Sequence, residues 1–164
     1  MSEGIRPARG EDWARIHPFW AAIVADGESY TYPEGLTSDA ARALWMEPPP
    51  WRVVVLEEEG RILGSAKMGP NRPGRGDHVA TASFMVAAAA RGRGVGRRLG
   101  EDMIAWARAS GYRAIQFNAV VATNEGAVRL WTGLGFRIVG TVPEAFRSRR
   151  HGLVGLHLMH LPLA

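Results

Sequence analysis

The sequence predicts an α/β fold of the α+β kind: a mixed, mostly antiparallel sheet of about seven strands carrying about four helices. Three observations predict it. The apolar run Thr81-Ala82-Ser83-Phe84-Met85-Val86 leads through a Gly/Arg turn into a long amphipathic segment. Trp51 to Glu57 and Arg61 to Met68 read as two strands joined by Glu59-Gly60, a hairpin turn. Phe136 to Val142 and Leu153 to Met159 form a closing pair of strands around an arginine-rich loop at 147 to 150.

Each element follows from local pattern. Gly4 to Arg6 is a short first strand. Asp12 to Val24 reads as a helix, with Trp13, Ile16, Trp20 and Ile23 on one face. Asp26 to Leu36 is a turn-rich loop. Thr37 or Ser38 caps a short helix that runs to Met46, and Pro48-Pro49-Pro50 stops it. After the hairpin, Gly69 to Gly76 is a Pro/Gly loop and His78 to Val86 the central strand. Arg97 to Ser110 places Leu99, Met103, Ile104, Trp106 and Ala107 at helical spacing. Ala114 to Val120 reads as a strand, followed by a helix that begins at Asn124. Residues 1–164 are expected to form a single domain, without repeats or a low-complexity tail.

Composition narrows the classes. An apolar content of 46% with 22% charged residues is ordinary for a globular chain. No apolar run approaches ~20 residues, so no membrane span is expected. Met1 to Gly10 lacks the apolar centre of a signal peptide. The chain has 0 cysteines, which excludes disulfides, thiolate metal sites and a cysteine nucleophile, and suits a cytoplasmic location. His157 and His160 have no carboxylates nearby to complete a metal site. The net charge is +4, and Lys67 is the single lysine among 20 basic residues. The arginines are scattered apart from 91 to 98 and 147 to 150, so nucleic acid is not the expected partner.

Arg91-Gly92-Arg93-Gly94-Val95-Gly96, between a strand and a helix, has the makings of an anion cradle. First-turn N–H groups of a helix have no partner within it, and the helix dipole favours negative charge there. Glycine lets a phosphate approach the backbone. No Gly-Lys-Ser/Thr follows, which excludes a P-loop, and Arg97 stands where a dinucleotide fingerprint needs its third glycine. Taken alone, the turn fits a tight strand-to-helix connection with solvated arginines equally well.

Two motifs in order separate these readings. Arg91-x-x-Gly94-x-Gly96 resembles the acyl-CoA pyrophosphate motif of the GNAT superfamily of N-acetyltransferases. Asn124-Glu125-Gly126-Ala127-Val128-Arg129-Leu130-Trp131, then Gly133-Leu134-Gly135-Phe136, is similar to that superfamily's second motif. The resemblance implies the GNAT fold, with splayed fourth and fifth strands, and acetyl transfer from acetyl-CoA to an amine. It implies cofactor contacts at Phe84, Met85, Val86, Arg91, Arg93, Gly94, Val95, Gly96, Arg97, Asn124, Ala127 and Trp131. Main chain from Phe84 to Ala87 would pair with the pantetheine arm, and an N–H there would polarise the thioester carbonyl. Dimers are common in this superfamily, which leaves a homodimer open.

Trp131 stands where many members place the tyrosine that protonates the departing thiolate. An indole N–H donates a hydrogen bond but is no usable acid. Two readings follow: an enzyme that works without that acid, and a catalytically silent acyl-CoA-binding module. A finer resemblance bears on this. Gly27-Glu28-Ser29-Tyr30-Thr31-Tyr32-Pro33, Asn71-x-Pro73-Gly74, His78-Val79, Phe117-Asn118 and Thr123-Asn124-Glu125 are similar to azetidine-2-carboxylate-type N-acetyltransferases, which also carry Trp in the second motif. That group acetylates small amino and imino acids. Its central-strand Asn, which holds the substrate carboxylate, corresponds to Thr81. Substrate contacts are expected from Glu28, Tyr30, Thr81 and Asn118. Asn118 is the candidate for orienting the amine or a water. Glu28, Asp77 and His78 are candidates for the base that deprotonates the ammonium, with His78 ranked first on the ordinary pKa of an imidazole.

Overall fold

The structure is a computed structural model that describes residues 3–164. Seven strands form one sheet in the order β1-β2-β3-β4-β5-β7-β6. They are β1 (Gly4–Pro7), β2 (Arg52–Glu58), β3 (Arg61–Pro70), β4 (Val79–Val86), β5 (Ala114–Val121), β6 (Arg137–Ser148) and β7 (Gly152–Pro162). Four helices cover it: α1 (Trp13–Asp26), α2 (Ser38–Trp45), α3 (Val95–Ala109) and α4 (Glu125–Gly133).

Neighbouring strands are antiparallel except β4 and β5. These two run parallel and pair only at Val79↔Ala114 and Ala80↔Ile115. Beyond Ala80 they diverge, and the wedge between them is the feature that positions the site. An aromatic cluster fills its base. The ring of Phe84 lies 4.6 Å from Trp131, and Phe117 lies 4.8 Å from Trp131 and 4.4 Å from Phe136.

Strand alternation divides the core. Val54, Leu56, Ala66, Met68 and Ile115 share one cluster with Leu99 and Met103 of α3 and Trp131 of α4. Val55, Ile62 and Met85 face α1 and α2, against Trp13, Ile16, Trp20 and Trp45. The apolar stripe of α1 ends on buried Val24, while Ile23, expected on that face, is half-buried. Thr37 is the α2 cap, its hydroxyl accepting from Ala40 N–H at 3.2 Å. Ser38 instead accepts from the Trp13 indole at 3.0 Å. A four-residue ion cluster, with Asp12 and Glu57 buried and Arg15 at the surface, joins β1, β2 and α1. Arg6 and Arg15 each contact both Asp12 and Glu57 at 2.7–3.0 Å.

Three differences from the sequence reading concern the site. α3 begins at Val95, two residues before the expected start, so Gly94 is its N-cap, in a left-handed conformation (φ 74°). β4 begins at Val79, which leaves His78 in the preceding turn. The closing hairpin is much longer than its apolar pattern implies, because β6 continues to Ser148. The register shifts between Val142 and Phe146, around Pro143 and the positive-φ Glu144, so the strict alternation is lost while the strand goes on. The arginine-rich loop therefore shrinks to a turn around 149–151, held at the tip of a long arm.

Candidate active site

The wedge between β4 and β5 opens into a cleft of about 680 Å³. Its floor is β4 and β5, one wall is α4, and its roof is the 26–31 loop with the β6–β7 tip.

At the α3 end, the Gly/Arg turn meets the cleft. Gly92 and Gly94 both have left-handed φ, and an added Cβ would meet nothing within 4 Å, so this face of the turn is open. The Gly94 cap offers no side-chain acceptor to the first-turn N–H groups of α3, which leaves them available to an anion. Gly96 packs close to Leu130 and lines the cleft. Arg91 also lines it, and has no ion pair among the described residues. Arg93 and Arg97, expected to share this role, are engaged elsewhere and do not line the cleft. Arg93 pairs with Glu58 at 3.0 Å and Arg97 with Glu101 at 3.0 Å. Both pairs are solvent-exposed and weak enough to exchange for a phosphate. Val95 buries its side chain in the core, so only its backbone faces outward.

Along β4, alternation decides which residues reach the wedge. Ala87 N–H bonds to Leu63 O on β3 at 2.9 Å, so the backbone groups of Met85 also face β3, while those of Phe84 and Val86 face the opening. Met85, expected beside the cofactor, is turned away on both counts. Its side chain is 1% exposed within the α1–α2 core. On α4, Asn124 caps the helix, its Oδ1 accepting from Ala127 N–H at 3.2 Å. Asn124, Ala127 and Trp131 all line the cleft.

The end of the cleft away from the Gly/Arg turn is polar. Asn118 sits where the β5–β7 register shifts, between Phe117 and Val120. This irregularity turns an in-strand residue toward the cleft. Its carboxamide is held on both sides: Nδ2 donates to Asn71 Oδ1 at 2.6 Å, and Oδ1 accepts from Gln116 Nε2 at 2.9 Å. Thr81 and Lys67 line the same region. Lys67 Nζ bonds to Glu47 and Leu44 O, each at 2.7 Å, and lies 5.1 Å from the Trp51 ring centre. Tyr30 reaches the β4 edge, where its hydroxyl meets Phe84.

Glu28 forms part of the roof. Oε2 accepts from the Ser148 hydroxyl at 2.6 Å and Oε1 from Arg150 N–H at 2.9 Å. These donations, the Ser148 hydroxyl foremost, hold its carboxyl below the usual glutamate range. Glu28 is therefore a persistent negative charge and a poor base. Asp77 and His78 are not in the cleft. They line a separate depression with Trp106 and Tyr112, because the turn before β4 lies at the opposite end of the strand from the wedge. The imidazole that the fold does bring to the cleft is His151, at the β6–β7 tip. It follows the arginine-rich stretch 147 to 150, which the long hairpin arm carries over the cleft.

No group of three or more potential metal ligands occurs among the described residues, and none of their helices is long and apolar enough to cross a membrane.

Comparison with known proteins matches this geometry to a family. The family model described as Acetyltransferase (GNAT) family matches residues 17–136. A solved structure of a GCN5-related N-acetyltransferase from Kribbella flavida is 60% identical, covers 97% of this chain and 96% of its own, and has a TM-score of 0.94. The yncA structure from Salmonella typhimurium, described as a putative acetyltransferase with its cofactor acetyl-CoA, is 26% identical, covers 100% and 95%, and has a TM-score of 0.83. Among curated proteins, Protein SPT10 of Saccharomyces cerevisiae is 39% identical over 90 residues, and N-acetyltransferase aca1 of Schizosaccharomyces pombe 36% over 90 residues. Each match takes in 55% of this chain, but only 14% and 43% of those proteins, so the chain spans less than half of either.

Proposed function

From the premise that the chain belongs to the acetyltransferase (GNAT) family, whose cofactor is acetyl-CoA, we propose that it moves the acetyl group directly to the amine of a small amino or imino acid, in a ternary complex within the cytoplasm. Bound acetyl-CoA supplies an activated acetyl thioester. The residues present fit this group. An open left-handed glycine turn, an unpaired Arg91 and first-turn N–H groups of α3 suit the diphosphate. The backbone of Val86 faces the wedge and suits the arm.

The observation that carries the proposal is the continuity of one cleft, from Arg91 and Gly96 past Val86 to Asn118 and Glu28. Both ends of a two-substrate reaction thus share one cavity, and proximity alone contributes a large part of such catalysis. At the acceptor end, the Glu28 carboxylate attracts the ammonium. Asn118, fixed by Asn71 and Gln116, orients the amine nitrogen. Thr81 and Arg150 offer donors to the carboxylate of the substrate. His151 takes the ammonium proton, directly or through water. Resemblance to the azetidine-2-carboxylate-type enzymes supports the substrate class, and the name of the aca1 relative supports transfer to nitrogen.

One observation favours a second reading. Trp131 packs among Phe84, Phe117 and Phe136, so the usual tyrosine acid is absent, as a silent acyl-CoA-binding module would permit. A CoA thiol has an ordinary pKa near ~8.5, so its thiolate leaves without a dedicated acid. Thiol release from acetyl-CoA, measured across amino acids, proline analogues, polyamines and drug-like amines, decides between the two. Turnover with amino or imino acids is expected. Binding of CoA with no turnover on any amine would establish the silent module instead.

A further inference from the structure

At Phe84 both backbone groups that face the wedge are already in use. Its N–H donates to the Tyr30 hydroxyl at 2.8 Å, and the same hydroxyl donates to its carbonyl oxygen. One phenol oxygen thus stands in for the donor and acceptor that a neighbouring strand would present. The ring is held in place by stacking on Tyr32, with centroids 5.7 Å apart. Burial holds the phenol well above its usual range, so it stays neutral at any working pH and keeps its proton against a thiolate.

The position of this contact matters because wedge-facing residues on β4 are two apart, about 6.8 Å along the strand. An arm that enters from Arg91 to Gly96 meets Val86 first and Phe84 next. Val86 is the residue that pairs with the arm. Phe84 N–H is then the next donor along the line, where a carbonyl at the far end of the arm arrives.

We infer that Tyr30 is a positioning residue whose hydroxyl competes with the carbonyl oxygen of an acyl thioester for the N–H of Phe84. This rests on the reading of the cleft as an acetyl-CoA site. The consequence is specific. Free CoA has no acyl carbonyl and does not enter the contest, whereas acetyl-CoA must displace the hydroxyl. Tyr30 therefore lowers affinity for the substrate thioester relative to the product thiol, and keeps the Phe84 carbonyl and N–H satisfied when no thioester is present.

The test is calorimetry with CoA and with acetyl-CoA, without any amine, on the wild type and on Tyr30→Phe. CoA affinity is expected to stay within about twofold. Acetyl-CoA is expected to bind Tyr30→Phe about fivefold more tightly than the wild type, the worth of one net hydrogen bond. A second measurement needs no variant. In tyrosine-labelled wild type, which has 3 tyrosines, the Tyr30 resonance is expected to shift with acetyl-CoA and not with CoA. Normal CoA binding, with an unchanged acetyl-CoA to CoA ratio in Tyr30→Phe and no selective Tyr30 shift, would overturn the inference alone. Failure of the wild type to bind CoA would instead defeat the reading of the site on which it rests, and loss of CoA binding in Tyr30→Phe alone would overturn the inference.

Discussion

Ser148 and Glu28, 120 residues apart in the chain, meet at 2.6 Å and close the roof over the acceptor end of the cleft. The contact does not act alone. Arg149 pairs with Glu34 at 2.6 Å and Arg150 with Asp26 at 3.1 Å, so the hairpin tip is latched to the 26–34 loop at three points. Each outer pair is exposed and weak. The central one carries Glu28, to which the proposed mechanism gives the attraction of the ammonium.

Glu28→Gln is therefore expected to raise the KM for the amine about tenfold while CoA affinity stays unchanged, as steady-state kinetics and calorimetry read separately. The pH dependence follows from the lowered carboxyl. A group whose pKa is depressed by its folded partners contributes above its ordinary value and loses that contribution as pH falls through the depressed one. The amine KM should thus be insensitive to Glu28 from pH 8 down to about 4.3, and rise only below it.

Gly94→Val tests the diphosphate cradle. The position has φ 74°, where a β-branched residue is strained by about 1–2 kcal/mol, and its side chain would stand on the open face of the turn. CoA affinity is expected to fall at least tenfold by calorimetry, with a Tm loss of only a few degrees.

Asn118→Ala removes the carboxamide held by Asn71 and Gln116. kcat is expected to fall about tenfold or more, with CoA affinity intact. An unchanged kcat would show that the amine is oriented by other groups. His151→Gln is expected to lower kcat/KM by about tenfold while CoA affinity stays unchanged.

The ion cluster of Arg6, Asp12, Arg15 and Glu57 sets acid stability. Asp12 is fully buried, and the Arg6 guanidinium beside it holds its carboxyl far below the usual range. Its contribution is complete above the ordinary aspartate pKa of about 3.9, and fades as pH falls below it. Asp12→Ala, which leaves Glu57 as the remaining partner of both guanidinium groups, is expected to cost about 3 kcal/mol in denaturant unfolding at pH 7.

Local signals carried most of this architecture. Period-two and period-3.6 patterns identify the strands and helices, because those features depend on neighbours in sequence, and two motifs in order mark the end of the cleft proposed for the cofactor. The reading was weaker wherever a distant element decides the outcome. Met85 faces β3 rather than the wedge because of register with Ser65. Arg93 and Arg97 have carboxylates within reach that a motif does not display. His78 fell outside the cleft because it precedes β4, at the end of the strand opposite the wedge. His151 entered it through a hairpin whose length is hidden by the irregularity at Pro143 and Glu144. The Tyr30–Phe84 contact, across 54 residues, has no sequence signature at all.

The most direct test of the central claim is a titration of CoA into the purified protein by calorimetry, repeated with pantetheine, which lacks the diphosphate and the nucleotide. Saturable one-to-one heat with CoA, lost with pantetheine and with Gly94→Val, is the expected result. No heat with CoA, or equal binding of pantetheine, would mean that the turn from Arg91 to Arg97 does not hold a diphosphate, and the account would fall.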